Sequence, residues 1–405
     1  MDSSKYIQVI ENIHQELMKS ELSNNIGLHG GTSGIALFLA YYDRIVHKKN
    51  DISPRVMDIL EHNIKQINSG NVFHTICSGI SGFGWFCEHL RKLGMLDKDD
   101  IEFLNDLDPF LCSKMIFDIK KRNYDFLHGA LGVGSYFLSR FENNEIKGYL
   151  DDLLTELEKS GEICENDGIK WNSVINFETG EKGYNISLSH GMSSIVAFLV
   201  RLYQLDFKVE RVGELITRTV IYILSQITYS EGSISYFPSY SKESSSGNYF
   251  SRLGWCYGDL GVAYTLWQAS VVLKNKEWEN IALMILRQNC KRHDLQINGI
   301  RDAGLCHGSA GIAHIFWSMY LHTQISEFQE ATDYWHHITL QMAHHDDGLA
   351  GFKNWRTIEY GGPEKSENLL EGVAGIGIAL LSYLNSNLLT WDECLMLNLL
   401  KLKIR

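Results

Sequence analysis

Proline is nearly absent from this chain: four in 405 residues. Proline breaks helix interiors and is used in turns and on edge strands, so its scarcity favours long helices over many short strands. Positive charge is also short. Lys and Arg number 37 against 49 Asp and Glu, a formal charge of −12, which makes general binding to a phosphate backbone a poor prospect. No run approaches the ~18 consecutive apolar residues of a membrane span. The N-terminus, MDSSKYIQVIENIHQELMKS, has no basic segment followed by an apolar core, so no secretory signal is expected. These absences together predict a cytoplasmic protein. The eight cysteines, Cys77, Cys87, Cys112, Cys164, Cys256, Cys290, Cys306 and Cys394, are scattered along the chain. In a reducing compartment such cysteines are expected as buried thiols or metal ligands rather than disulfides.

What the chain does have is a repeat. A short loop leads into small-x-x-small and then an apolar run: GTSGIALFLA from Gly31, GISGFGWFCE from Gly79, GALGVGSYFL from Gly129, GMSSIVAFLV from Gly191, GDLGVAYTLW from Gly258, GSAGIAHIFW from Gly308 and GVAGIGIALL from Gly372. The fourth copy carries Ser194 in place of the second glycine. Each apolar run is hydrophobic nearly all round, as a buried helix is. Between the runs lie amphipathic stretches such as RVGELITRTVIYILSQI, with apolar residues at three- and four-residue steps. Each unit therefore predicts one buried and one surface helix, about fourteen in all. An open solenoid of hairpins is one arrangement. Inner helices this apolar favour a closed ring, and the expected fold is an all-α α/α toroid, a single domain over 1–405. The repeat glycines should open the inner helices, allow close backbone approach and take up turn geometry. All seven helix starts should face one end of the ring, around a central pocket. Two polar, aromatic stretches, 161–185 and 229–250, break the pattern and read as long loops or short hairpins near the pocket mouth. The SKESSSG tip of the second also reads as a disordered surface loop.

The residues just before the repeat glycines are not those of a plain scaffold. One before it stand Gly30, Ser78, His128, His190, Tyr257, His307 and Glu371; two before it stand His29, Cys77, Leu127, Ser189, Cys256, Cys306 and Leu370. Cys256, Cys306 and His307 form the sharpest set, because Zn²⁺ favours Cys and His and a catalytic zinc keeps three protein ligands and one open position. Buried free cysteines are the competing explanation. Cys77 and His29 occupy equivalent positions and are rival ligands.

The WCYG and CHG motifs, in this order and at this separation, with seven glycine loops along essentially the whole chain, resemble the lanthionine synthetase C-like (LanC-like) family, the cyclases of lantibiotic biosynthesis. The resemblance implies an α/α toroid with one zinc in the central pocket. It carries Cys256, Cys306 and His307 over as its ligands and demotes Cys77 and His29. It implies that YDFLHG supplies Asp125 and LSHG supplies His190 as acid–base residues, and that Arg252 and Tyr257 of RLGWCYG belong to the pocket. His128 departs from the acidic residue expected there and is given no role. Helix capping by Asp125 and packing by His190 are the plainer alternatives.

The implied reaction joins a cysteine of a dehydrated precursor peptide to dehydroalanine or dehydrobutyrine, giving a lanthionine or methyllanthionine thioether. A free thiol has a pKa of ~8.5, so a metal that deprotonates it explains the ligand set. Attack on the β-carbon yields an enolate, for which Arg252 is the candidate cation and His190 the candidate proton donor, with Asp125 orienting it. The partners implied are the precursor peptide, a dehydratase and an exporter, with peripheral placement at the membrane through that complex. A LanC-like enzyme adding glutathione to dehydrated proteins is the alternative, followed by a non-catalytic module holding a thiol peptide. Prenyltransferase and glycosidase rings do not suit this ligand spacing.

Overall fold

Every repeat glycine marks a helix start. The computed structural model describes residues 3–176, 179–228, 233–385 and 389–399; parts of the two irregular stretches, residues 177–178 and 229–232, lie outside them. Among the described residues there are fourteen α-helices. Seven of them are α2 (Thr32–Ile45), α4 (Ile80–Lys92), α6 (Ala130–Ser139), α8 (Met192–Gln204), α10 (Asp259–Leu273), α12 (Ser309–Thr323) and α14 (Val373–Leu384), and they have as N-caps Gly31, Gly79, Gly129, Gly191, Gly258, Gly308 and Gly372. They are buried over most of their length, as all-round apolar helices must be. The other seven, α1 (Ser3–Lys19), α3 (Pro54–Ser69), α5 (Leu104–Lys120), α7 (Asn144–Ser160), α9 (Val209–Ser225), α11 (Lys276–Asn289) and α13 (Ser326–Gln341), alternate with them along the chain. Helix α9 shows the amphipathic logic: Val212, Leu215, Ile216, Thr219, Val220 and Ile223 are buried, at three- and four-residue steps.

The contacts divide the chain into two compact units, residues 1–108 with 299–391, and 109–298 with 392–405. In the first unit α12, α14, α2 and α4 are successive neighbours, and α13, α1 and α3 pack on α12, α14 and α2. The N-terminal helix thus covers the last buried helix, so the seventh repeat sits beside the first.

In the second unit α6, α8 and α10 are successive neighbours, backed by α7, α9 and α11. The chain's last described segment is threaded against them. Trp255 Nε1 donates to the Leu395 carbonyl (2.8 Å), Gln268 Nε2 to those of Met396 and Leu397 (3.1 and 3.2 Å), and Arg201 to that of Asn398 (2.8 Å). These carbonyls belong to no regular ladder, and buried carbonyls need donors. The first irregular stretch forms two short hairpins, β1 (Glu162–Ile163) with β2 (Ile169–Lys170) and β3 (Asn172–Asn176) with β4 (Glu181–Tyr184). The second is not disordered at its SKESSSG tip: Lys242–Ser244 make a 3₁₀ turn, and Ser241 N donates to the Tyr184 carbonyl (2.9 Å), anchoring it to β4.

Candidate functional site

The loops before the buried helices other than α10 share a recurrent build. The N–H of the first helical residue donates to the carbonyl seven residues back: Thr32 to Asn25 (2.9 Å), Ala130 to Asn123 (3.1 Å), Met192 to Asn185 (2.8 Å) and Ser309 to Asp302 (3.1 Å). The repeat glycine is wrapped inside this ring. A Cβ on Gly308 would lie 2.3 Å from Gly304 N and 2.5 Å from Asp302 Oδ1, so close approach by the loop itself requires glycine there. Of the seven, only Gly258 has positive φ, at +93°; the rest have negative φ. Neighbouring loops are joined through the residues before the glycine. Gly30 N donates to the Cys77 carbonyl (2.9 Å), Leu188 N and Ser189 N to that of Cys256 (3.2 and 3.3 Å), Cys306 N to that of Leu370 (2.9 Å), and Leu370 N to that of His29 (2.9 Å). The last of these links the seventh repeat to the first.

Cys256 and Cys306 are buried and His307 is half-buried. Their donor atoms lie within 4.8 Å of one another, and among the described residues this is the group of three Cys, His, Asp or Glu side chains close enough to share an ion. Two thiols and one imidazole are a zinc-type donor set. Cys77 and His29 are not members of that group. None of the eight cysteines forms a disulfide, and burial pushes the Cys87 and Cys394 thiols well above the ordinary range, which keeps them inert.

Asp125 and His190 come together across two adjacent repeats. His190 Nδ1 lies 2.6 Å from Asp125 Oδ2. The other carboxylate oxygen, Oδ1, accepts the His128 N–H at 2.7 Å. That second bond is a loop-capping job which Thr75, Ser187 and Asn368 perform with one acceptor in their own repeats. Helix α6 has no side-chain cap at Gly129, so Asp125 is not the helix cap that was one alternative; it closes the loop ahead of the helix and has one oxygen left for His190. Burial disfavours a charge on the His190 ring, but the charge and hydrogen bond of Asp125 outweigh it and raise its pKa above the ordinary 6.5. Burial likewise works against Asp125, and the His190 pairing holds it below its ordinary range. His128 stacks near His190, with centroids 6.2 Å apart, but is exposed, and its ring makes no bond to Asp125.

Arg252 and Tyr257 are half-buried in the fifth repeat loop. Tyr257 stands beside His190, with ring centroids 5.8 Å apart, and against Tyr240 at 5.7 Å; its hydroxyl accepts from Asn185 Nδ2 at 3.4 Å. Burial holds its phenol far above the ordinary range, so it stays protonated. The Arg252 side chain makes no hydrogen bond or ion pair among the described residues. Tyr240 also lines a cleft of about 510 Å³ with Asn176, Glu181, Ser244 and Phe250, and its ring contact sets the second irregular stretch beside Tyr257.

Several supporting residues escaped the sequence reading. Asn25, Asn123, Asn185 and Asp302 all stand six residues before their repeat glycine. Asn25 Oδ1 accepts the Gly27 N–H (3.0 Å), Asn185 that of Ser187 (2.9 Å) and Asp302 that of Gly304 (3.0 Å). An Asn or Asp at that offset in four of seven copies was the available signal. The fifth repeat has Arg252 at that offset, and there the loop is held from outside. Buried Arg292 donates to the carbonyl of Ser251 (2.8 Å) and to Asn298 Oδ1 (2.7 Å), and pairs with buried Asp259 (3.4 Å).

The profile of the family described as Lanthionine synthetase C-like protein matches residues 23–396. The chain belongs to this family. Over 393 residues it is 22% identical to the nisin biosynthesis protein NisC of Lactococcus lactis subsp. lactis, covering 91% of this chain and 88% of that one. The structure of a nisin cyclase superposes with a TM-score of 0.71 at 18% identity, over 98% of both chains. The shared fold is the α/α toroid that the repeats predict. A stretch of 185 residues is 28% identical to glutathione S-transferase LANCL1 of Danio rerio, covering 44% of this chain and 40% of that relative.

Proposed function

We propose that this LanC-like protein is a zinc-dependent lanthionine cyclase acting on a dehydrated precursor peptide. The observation that carries the proposal is the group Cys256, Cys306 and His307: three ligands and no fourth among the described residues, as in zinc sites that keep a position for substrate. When bound there, zinc would deprotonate a substrate thiol and hold it as thiolate.

The chain's own residues account for the rest. As the C–S bond forms at the β-carbon of the dehydro residue, its C=C electron pair moves toward the α-carbon and carbonyl oxygen, building enolate charge. Arg252, a half-buried cation with no partner of its own, is suited to meet that charge. The enolate then takes a proton at the α-carbon. His190 is the donor: Asp125 holds its Nδ1 at 2.6 Å, fixes the tautomer and raises its pKa, which favours the protonated ring that a general acid needs. Tyr257 packs on His190 and stays protonated, a second donor beside the reacting carbonyl. The thiol loses one proton and the α-carbon gains one, so the reaction is balanced without a redox partner. Dehydro residues arise by loss of water from Ser or Thr, so a dehydratase must act first. An exporter, and placement in the cytoplasm at the membrane surface, go with the same reading; no helix among the described residues is long and apolar enough to cross a membrane.

The test is a dehydrated peptide that retains one cysteine. Cyclisation leaves its mass unchanged and removes its reactivity toward a thiol alkylating agent. The purified protein should do this, and a chelator should stop it until zinc is restored. Failure to consume the thiol with zinc bound would overturn the reading. The partial match to a glutathione S-transferase favours one alternative, glutathione addition. In that case the dehydrated peptide without cysteine would gain the mass of glutathione at a rate exceeding cyclisation.

A further inference from the structure

Asp302 does something its counterparts in the other repeats cannot. Asn25 and Asn123 each turn their amide nitrogen back onto the carbonyl before the repeat glycine, Gly30 (3.1 Å) and His128 (3.2 Å). A carboxylate has no donor for that bond. Asp302 is buried, uses Oδ1 for the common turn to Gly304 N, and presents Oδ2 to the N–H of Trp355 at 3.1 Å. Trp355 belongs to an arm whose two sides are bridged at Asn354 and Glu364, with N–H to carbonyl bonds of 2.8 and 3.0 Å in both directions. The arm is clipped at two further points. The Arg301 guanidinium lies 4.1 Å from the Trp355 ring centroid, and Asn354 Nδ2 donates to Glu371 Oε2 at 3.3 Å. Glu371 holds the same place before its glycine as His307 does in the preceding repeat. The arm is thus tied at its base to the loops carrying His307 and Glu371, while its tip leaves Ile358 92% and Tyr360 65% exposed.

We propose that Asp302 is a positioning residue with one task for each oxygen: Oδ1 shapes the loop of Cys306 and His307, and Oδ2 holds the 352–364 arm in place to bear on the peptide substrate. The pattern repeats that of Asp125, where one oxygen caps the loop and the other serves His190. The part concerning Cys306 and His307 rests on the proposed zinc site and the arm's bearing on the peptide rests on the proposed cyclase reading; the attachment of the arm to Asp302 rests on neither.

Two variants separate the tasks. Asp302→Asn keeps one acceptor for Gly304 N and places either no acceptor or an amide donor against Trp355 N. It should keep full zinc and an unchanged absorption spectrum after cobalt substitution. Amide hydrogen exchange across 352–364 should speed up at least tenfold, and KM for the dehydrated peptide should rise several-fold at nearly constant kcat. Asp302→Ala should likewise speed exchange and raise KM, and should in addition shift the cobalt spectrum. Unchanged exchange and KM in Asp302→Asn would overturn the arm's role, and an unchanged cobalt spectrum in Asp302→Ala would overturn the loop's. Wild-type protein that binds neither zinc nor cobalt would instead defeat the zinc reading, and the exchange measurement would still decide the arm.

Discussion

The two cysteine loops occupy equivalent places in successive repeats and are built by opposite means. The Cys306 loop is self-contained. Asp302 closes its turn, Ser309 N returns to the Asp302 carbonyl, and Gly308 keeps ordinary negative φ. The Cys256 loop has an arginine in the turn-closing place, Gly258 at φ +93°, and its support in a buried network of Arg292, Asp259, Asn298 and Ser251. The difference shows what Arg252 gave up. In the fifth repeat residue 252 closes no turn, and the task of holding the loop passes to Arg292. The two cysteines should then be equivalent toward metal, while the residues six before the glycine should not be equivalent at all.

The largest effect tests the equivalence. Cys256→Ala and Cys306→Ala should each lose bound zinc by metal analysis and drop cyclisation by more than the ~10–100-fold typical of losing a residue that only supports a ligand. Both should keep helical circular dichroism, since the toroid core does not depend on a metal as small zinc folds do. Full zinc in both variants would break the comparison at its root and return Cys77 to consideration.

A second pair sets the third repeat against the fourth. His190→Asn should retain zinc and lose ~10²–10⁴-fold in turnover, the usual worth of a positioned general acid. His128→Asn should change turnover little, because its ring makes no bond to Asp125 and is exposed. Equal losses would mean that the position matters for packing the helix start, and His190 would lose its assignment.

The third sharpens the contrast between the two arginines of the fifth repeat. Arg292→Ala leaves buried Asp259 without its counter-ion, held by the Tyr236 and Phe237 N–H groups, and breaking such a pair costs up to about 3–5 kcal/mol. It should lower the urea midpoint markedly. Arg252→Ala removes no hydrogen bond and should stay within about 0.5 kcal/mol of wild type while losing turnover. Comparable destabilisation by both would show that Arg252 holds structure after all.

These contrasts also mark what the sequence could and could not reveal. Glycine spacing exposed all seven helix starts, because a wrapped loop tolerates nothing larger at Gly308 and its equivalents, and all-round apolar runs identify buried helices without any structure. The group Cys256, Cys306 and His307 was visible as residue types at matched offsets, but so were Cys77 and His29, which only the family resemblance set aside. Hidden from view were bonds made by a second oxygen. Nothing in the letters YDF says that Asp125 caps one loop and also reaches a histidine 65 residues away, or that Asp302 reaches Trp355. The support given by Arg292 was equally hidden, since it follows from a neighbouring helix end rather than from the repeat. Side-chain bonds across loops depend on which loops fold together, and spacing along the chain does not encode that.

The smallest effect is a difference in sign between the two neighbouring histidines. His190 has its pKa raised above 6.5 by Asp125 against the opposing effect of burial, and Asp125 is lowered below 3.8 by the same pairing. A raised histidine stabilises fully below its unfolded value and loses that contribution as pH rises through the folded one. A lowered carboxylate stabilises above its unfolded value and loses that contribution as pH falls through the folded one. The pair should therefore contribute most between about pH 4 and 6.5, at about 1–3 kcal/mol for a hydrogen bond between charged groups. His128 behaves oppositely: although its side chain reaches the surface, partial desolvation and the neighbouring His190 lower its pKa despite Asp125, so its neutral form is the favoured one in the folded state. It withdraws stability as pH falls below about 6.5. Urea unfolding of metal-free protein across this range should show Asp125→Asn falling furthest behind wild type between pH 4 and 6.5 and recovering on either side. His128→Asn should gain on wild type as the pH is lowered. If both variants move in the same direction, the two rings share one electrostatic environment, and the assignment of Asp125 to His190 alone is wrong.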